Sequence, residues 1–158
     1  MKKEKKQEFI LRITQANKTQ LVVVLYDMTL AYLEDSMEEF DHGDYEKYRW
    51  NIERAKDCID ELLNSLHMEY EIAGVLKGLY FFYKRELTTA GVQKDTEKII
   101  PVMKMIQELK ESFEQISVQD TSAPIMENAQ TVYAGLTYGK GSLNVNLADQ
   151  GTNRGFRV

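Results

Sequence analysis

Between residues 45 and 66, apolar residues recur at alternating intervals of three and four: Tyr45, Tyr48, Ile52, Ala55, Ile59, Leu62 and Leu66. That alternation keeps all seven on one narrow face of an α-helix, the seam used when helices pack nearly side by side with left-handed twist. A chain holding such a segment is constrained to bury it against further helices. The same interval returns at Ile99, Val102, Ile106, Leu109, Phe113 and Ile116, behind Asp95 as a helix cap. Two more helices fit the remaining sequence up to residue 117. One runs over 18–40, opened by Asn17 with Gln20 as its capping-box partner and carrying a broad stripe of Val22, Tyr26, Thr29, Leu33 and Phe40. The other spans about 70–90, with Ile72, Leu76, Leu79 and Tyr83 read as its seam. Gly43 and Asp44 separate the first helix from the second, as C′ residue and N-cap. Pro101 removes a backbone donor and is expected to kink the last helix or delay its regular part.

Short connections make consecutive helices antiparallel. The expected fold is therefore all-α: an antiparallel up-down four-helix bundle over residues 1–117, with a short N-terminal segment and a flexible C-terminal tail. Composition changes after residue 117. Five of the nine glycines fall there, among many Asn, Thr and Gln residues, so 118–158 reads as a low-complexity extension. Ile125, Ala129, Val132 and Leu136 are spaced to form one short amphipathic helix within it. Either that helix docks on the bundle, or the extension is solvated throughout.

The charge balance is 20 Lys and Arg against 25 Asp and Glu, and no basic stripe follows the first six residues. Nucleic acid is not an expected partner. The longest apolar run, "LVVVLY", has six residues, far below the roughly 18 of a membrane span. "FILRI" is too short for a signal-peptide core, so a cytoplasmic protein without membrane insertion is expected. The single cysteine, Cys58, sits on a helical pattern and reads as a small buried hydrophobe.

Catalytic and metal chemistry find no pattern to rest on. Glu39 and His42 make one half of a di-iron ligand pair, but the other histidine, His67, has Asn64 in the acid's position. "GLTYGKGS" departs from a phosphate-binding loop in its glycine spacing and in Gly141 after the lysine. No enzyme activity, cofactor or metal is expected.

Surplus apolar surface is the feature left over. Tyr80, Phe81, Phe82 and Tyr83 are consecutive, and successive helical residues turn by about 100°. With Leu76, Leu79 and Tyr83 inward, Val75 and Phe82 flank the seam on one side, Tyr80 lies on the other, and Phe81 points away. The rings either widen and shield the core or meet a partner.

The order and spacing of several short motifs resemble the flagellar secretion chaperone FliS family over roughly residues 10–117. They are Leu25-Tyr26-Asp27, Gly43-Asp44, Glu61-Leu62, Ser65-Leu66, Glu71-Ile72-Ala73, Leu76, Leu79-Tyr80, Arg85, Leu87 and Asp95. Departures include Met28 for a usual Gly and His67 for an Asp, together with Val75 for an Asn and Phe81 for an Asp, the last two making the third helix more apolar than the family pattern. The resemblance implies a cytoplasmic export chaperone that binds the C-terminal helical segment of flagellin. It would prevent premature polymerisation and assist delivery to the flagellar type III export apparatus, with the export gate as a further partner. The candidate partner-contact residues are Phe9, Ile13, Tyr26, Val75, Leu79, Tyr80, Phe82 and Tyr83. Phe9 and Ile13 belong to "EFILRI", which either lies in the client groove when no client is present or is a frayed terminus stapled to the first helix. A bundle that self-associates through the same patch, without a flagellin client, is the alternative.

Overall fold

A computed structural model describes residues 1–126, and its helices open where capping residues stand in the sequence. Five α-helices occur among the described residues: α1 (Lys3–Gln15), α2 (Lys18–Asp41), α3 (Tyr45–Asn64), α4 (Glu71–Gln93) and α5 (Ile99–Gln119). The Asn17 side chain accepts from the Gln20 backbone N–H at 2.9 Å, and Gln20 returns the bond to the Asn17 N–H at 3.0 Å. This reciprocal box satisfies two backbone donors at the start of α2. Gly43 takes φ 78° after α2, a left-handed conformation that glycine adopts without a Cβ penalty. Asp44 then caps α3 by accepting from the Lys47 N–H.

Pro101 delays the regular part of α5. A single 3₁₀ turn, Thr96–Lys98, precedes it, and the proline falls in the first turn of α5, where its missing N–H has no intrahelical acceptor to serve.

Helices α2 to α5 form the bundle, and side-chain pairs fix their directions. Phe40 stacks edge-on with Tyr48, and Tyr32 with Trp50, so α2 and α3 are antiparallel. Asp60 pairs with Lys84, and Tyr48 donates to the Ala90 carbonyl at 2.8 Å, which reverses α4 against α3. Glu86 meets Lys98, and Asp27 meets Lys110 at 2.6 Å, which returns α5 alongside both α4 and α2. The core contains Tyr26, Leu33, Tyr48, Ile52, Ile59, Leu62, Leu76, Tyr80, Tyr83, Leu87, Ile99, Val102 and Ile106. The seam read in α3 is the buried one from Tyr48 to Leu62, while Tyr45 is exposed at its start. In α5 the seam is buried through Ile106 and half-buried at Leu109 and Phe113, and it ends in solvent at Ile116.

Two expectations are corrected. The N-terminal segment is a full helix, α1, antiparallel to α2. Phe9 and Ile13 pack with Val24, Met28 and Ala31, and Arg12 reaches Asp27 at 2.6 Å. A helix of 13 residues is marginal alone in water, so α2 supplies the surface on which it forms. The seam of α4 is also shifted by one residue. Ala73, Leu76, Tyr80, Tyr83, Leu87 and Ala90 are buried, whereas Ile72 is 60% exposed. The expected helix through Ala129, Val132 and Leu136 lies outside the described residues.

Candidate functional site

Helix α4 carries apolar residues on more of its circumference than the bundle covers. Tyr80 and its neighbours fill the interior. The Tyr26 and Tyr80 hydroxyls hydrogen-bond to each other, joining α2 to α4 through the core. Burial pushes both phenols up from their ordinary value, because an anion there would lose its hydration. Tyr83 is pushed up to about 12 by the same loss of solvent, then by Tyr80 and Glu108. Its hydroxyl is buried with no hydrogen-bond partner among the described residues.

A second stripe stands beside this seam. Ile72, Val75, Leu79 and Phe82 follow at intervals of three, four and three, ending where Glu86 reaches toward Lys98. Leu79 and Phe82 rest against the core, while Val75 is 57% exposed. Phe82 packs edge-on to Tyr83, and the Arg85 guanidinium lies over its ring, within cation–π range.

 The distance from the guanidinium carbon to the ring centroid is 5.6 Å. Facing this stripe, α5 presents Met105 and Leu109, half-buried against the core, on the side away from Lys110 and its Asp27 contact. Helices α4 and α5 pack against each other less extensively than α2 does with α3 or α5.

The outer surface of α4 also carries two glycines. Gly74 and Gly78, one turn apart, are both exposed, and a Cβ at either would meet nothing within 4 Å. Each costs a helix interior roughly 1 kcal/mol relative to alanine, and no packing within the described residues requires them. On the far side of α4, Phe81 joins Leu63, Leu66 and Met68 around a cleft of about 480 Å³ that also holds Asp60 and Lys77.

The sequence-predicted contact residues therefore fall into three groups. Val75, Leu79 and Phe82 lie together on the outer stripe. Tyr26, Tyr80 and Tyr83 are buried in the core, each no more than 1% exposed, and offer no side-chain surface. Phe9 and Ile13 hold α1 onto α2, away from the stripe. Ile72, Met105 and Leu109 complete the strip but were not among the candidates. A signal for Ile72 was present: a seam starting there runs into Glu86, whereas one starting at Ala73 continues unbroken through Leu87 and Ala90.

Polar chemistry is sparse around these residues. Among the described residues there is no group of three or more His, Cys, Asp or Glu side chains placed to hold a metal ion. The Cys58 thiol is buried, and loss of solvent pushes it up to about 12, so little thiolate forms at neutral pH. No described helix is long and apolar enough to cross a membrane.

Fold and surface together define an antiparallel helical bundle with an apolar strip on one flank. The sequence profile of the flagellar protein FliS family matches residues 1–120, which takes in all five helices. The chain belongs to that family. It is 21% identical over 103 residues to the flagellar secretion chaperone FliS of Bacillus subtilis (strain 168), an alignment covering 65% of this chain and 77% of that protein.

Proposed function

We propose that this chain is a cytoplasmic flagellar secretion chaperone whose client is the C-terminal helical segment of flagellin. The client lies as an amphipathic helix along the outer face of α4 and the strip toward α5. The carrying observation is the second stripe, Ile72, Val75, Leu79 and Phe82, set beside a core seam that is already complete without it. A helix laid into an apolar groove is anchored by residues repeating every three or four positions, the spacing this stripe offers in return. Gly74 and Gly78 support the same reading, because bare backbone lets a second helix approach closely. By covering that client segment the chaperone prevents premature polymerisation, and it carries the client to the export gate of the flagellar type III apparatus. The domain that does this is the bundle, residues 1–117, with 118–158 as an extension.

The test is capture of a flagellin C-terminal peptide by the full chain, with light scattering of the chain alone over a concentration series. The proposal expects a one-to-one complex and a monomer that stays monomeric. Failure to bind the peptide, combined with concentration-dependent dimerisation, would assign the stripe to self-association instead.

A further inference from the structure

The chain that leaves α5 turns back onto the junction between α1 and α2. Asn17 uses its carbonyl oxygen to cap α2, and its Nδ2 donates to the Asp120 carbonyl at 3.1 Å and to the Ser122 carbonyl at 3.4 Å. The Thr19 hydroxyl donates to the Asp120 carboxylate. The Ile125 N–H donates to the Ala16 carbonyl at 3.0 Å. Ala16 and Asn17 are 4% and 3% exposed, so these bonds are shielded on the junction side, while Ser122 and Ile125 face solvent. Asp120 closes the turn internally by accepting from the Ser122 N–H and hydroxyl.

Elsewhere the helix at this junction is held by α2. Within the bundle α1 touches chiefly α2, through a small cluster of Phe9, Val24 and Ala31 flanked by Ile13 and Met28. Three ion pairs add to it: the Met1 ammonium with Asp35 at 2.7 Å, Lys5 with Glu34 at 3.9 Å, and Arg12 with Asp27, which also meets Lys110 of α5. Four hydrogen bonds thus join 120–125 to the turn between the two helices, one at Ala16, which closes α1, and three at Asn17 and Thr19, which open α2. The segment making them continues directly into residues 127–158 of the sequence.

We propose that residues 120–125 form a latch through which the chain following α5 controls whether α1 stays docked on α2. Opening the latch frees the α1–α2 junction. Departure of α1 then uncovers Val24 and Ala31, which are otherwise buried. The coupling is reciprocal, as any linkage between two equilibria must be: loosening α1 also loosens the latch. It does not depend on the identity of the client.

Amide hydrogen exchange on the full chain tests this. Ile125→Pro removes the one donor to Ala16, behind a residue that is already Pro124, and Asp120→Ala removes the acceptor for Thr19. Each variant is expected to speed exchange of the α1 amides by roughly tenfold, the effect of losing one or two hydrogen bonds, with α3 and α4 unchanged. Phe9→Ala, at the other end of the coupling, is expected to speed exchange of the Ile125 amide. The proposal is overturned if α1 exchange is unchanged in both latch variants. It is equally overturned if α3 and α4 accelerate as much as α1, because the contacts then serve only global stability.

Discussion

Two apolar stripes run down α4 one residue apart, and they have opposite fates. The stripe from Ala73 through Tyr80 to Ala90 is buried, and it is continued on every neighbouring helix by a matching seam. The stripe from Ile72 through Val75 to Phe82 has the same spacing and similar side chains, yet Val75 stands in solvent and Phe82 is only half-covered. Periodicity alone does not separate them. The difference is completeness: the inner stripe fills the bundle, so the outer one has no place left inside. Apolar surface that folding does not use is surface available to a partner.

The inner stripe should show the largest response to substitution. Tyr80→Ala empties a ring-sized space and strands the Tyr26 hydroxyl, and it should destabilise the bundle by about 3–5 kcal/mol in urea denaturation. A loss below about 1 kcal/mol, the level of a surface substitution, would place that ring outside the core. On the outer stripe the effect should move from folding to binding. Phe82→Ala should weaken flagellin-peptide binding by about 2 kcal/mol, as truncated aromatic anchors commonly do, and lower the thermal midpoint less than Tyr80→Ala does. The glycines give a sharper contrast, because stability and binding should move in opposite directions. Gly78→Ala should stabilise α4 by about 0.5–1 kcal/mol while weakening the peptide complex, since its added methyl meets nothing among the described residues but stands where a partner helix would approach. Tighter binding in this variant would remove the close-approach geometry.

The smallest expected effect concerns the latch. Hydrogen bonds from Ser122 and Thr19 hold the Asp120 carboxyl down at about 2. A depressed folded-state value means that its contribution is present above the ordinary carboxylate range and is lost as pH falls from about 3.8 toward about 2. The Thr19 and Ile125 amide resonances should follow that titration. A midpoint near the ordinary value would show that the carboxylate is not held.

How far the sequence reveals this molecule depends on the sequence separation of what is read. Caps and seams are local. Asn17 with Gln20, Gly43 with Asp44 and the run from Tyr48 to Leu62 are all legible, because each involves residues within a few turns of one another. The four-helix architecture follows from them. The register of α4 is harder, since two overlapping stripes satisfy one spacing rule and only the neighbours' seams decide between them. For this reason Tyr80, which looks peripheral when Leu79 is taken as core, is among the most deeply buried residues. Helix α1 is illegible for a different reason: its helicity depends on docking, and its lysine-rich first turns carry little apolar pattern. The latch is harder still. It joins Asn17 to Asp120 across 103 positions through an amide and two backbone carbonyls, and polar contacts of that kind leave no periodic trace.

The outer stripe as client site is tested most directly by calorimetric titration of a flagellin C-terminal peptide into the full chain and into Val75→Asp. Val75 is 57% exposed, so the substitution should leave the unfolding free energy from urea denaturation within about 0.5 kcal/mol of the original while setting a carboxylate in the middle of the stripe. The expected result is binding by the original chain with a negative heat-capacity change, the mark of apolar burial, and at least a tenfold loss of affinity (about 1.4 kcal/mol) in the variant. Equal affinity in the two chains, with both fully folded, would contradict the assignment of the client to this face of α4.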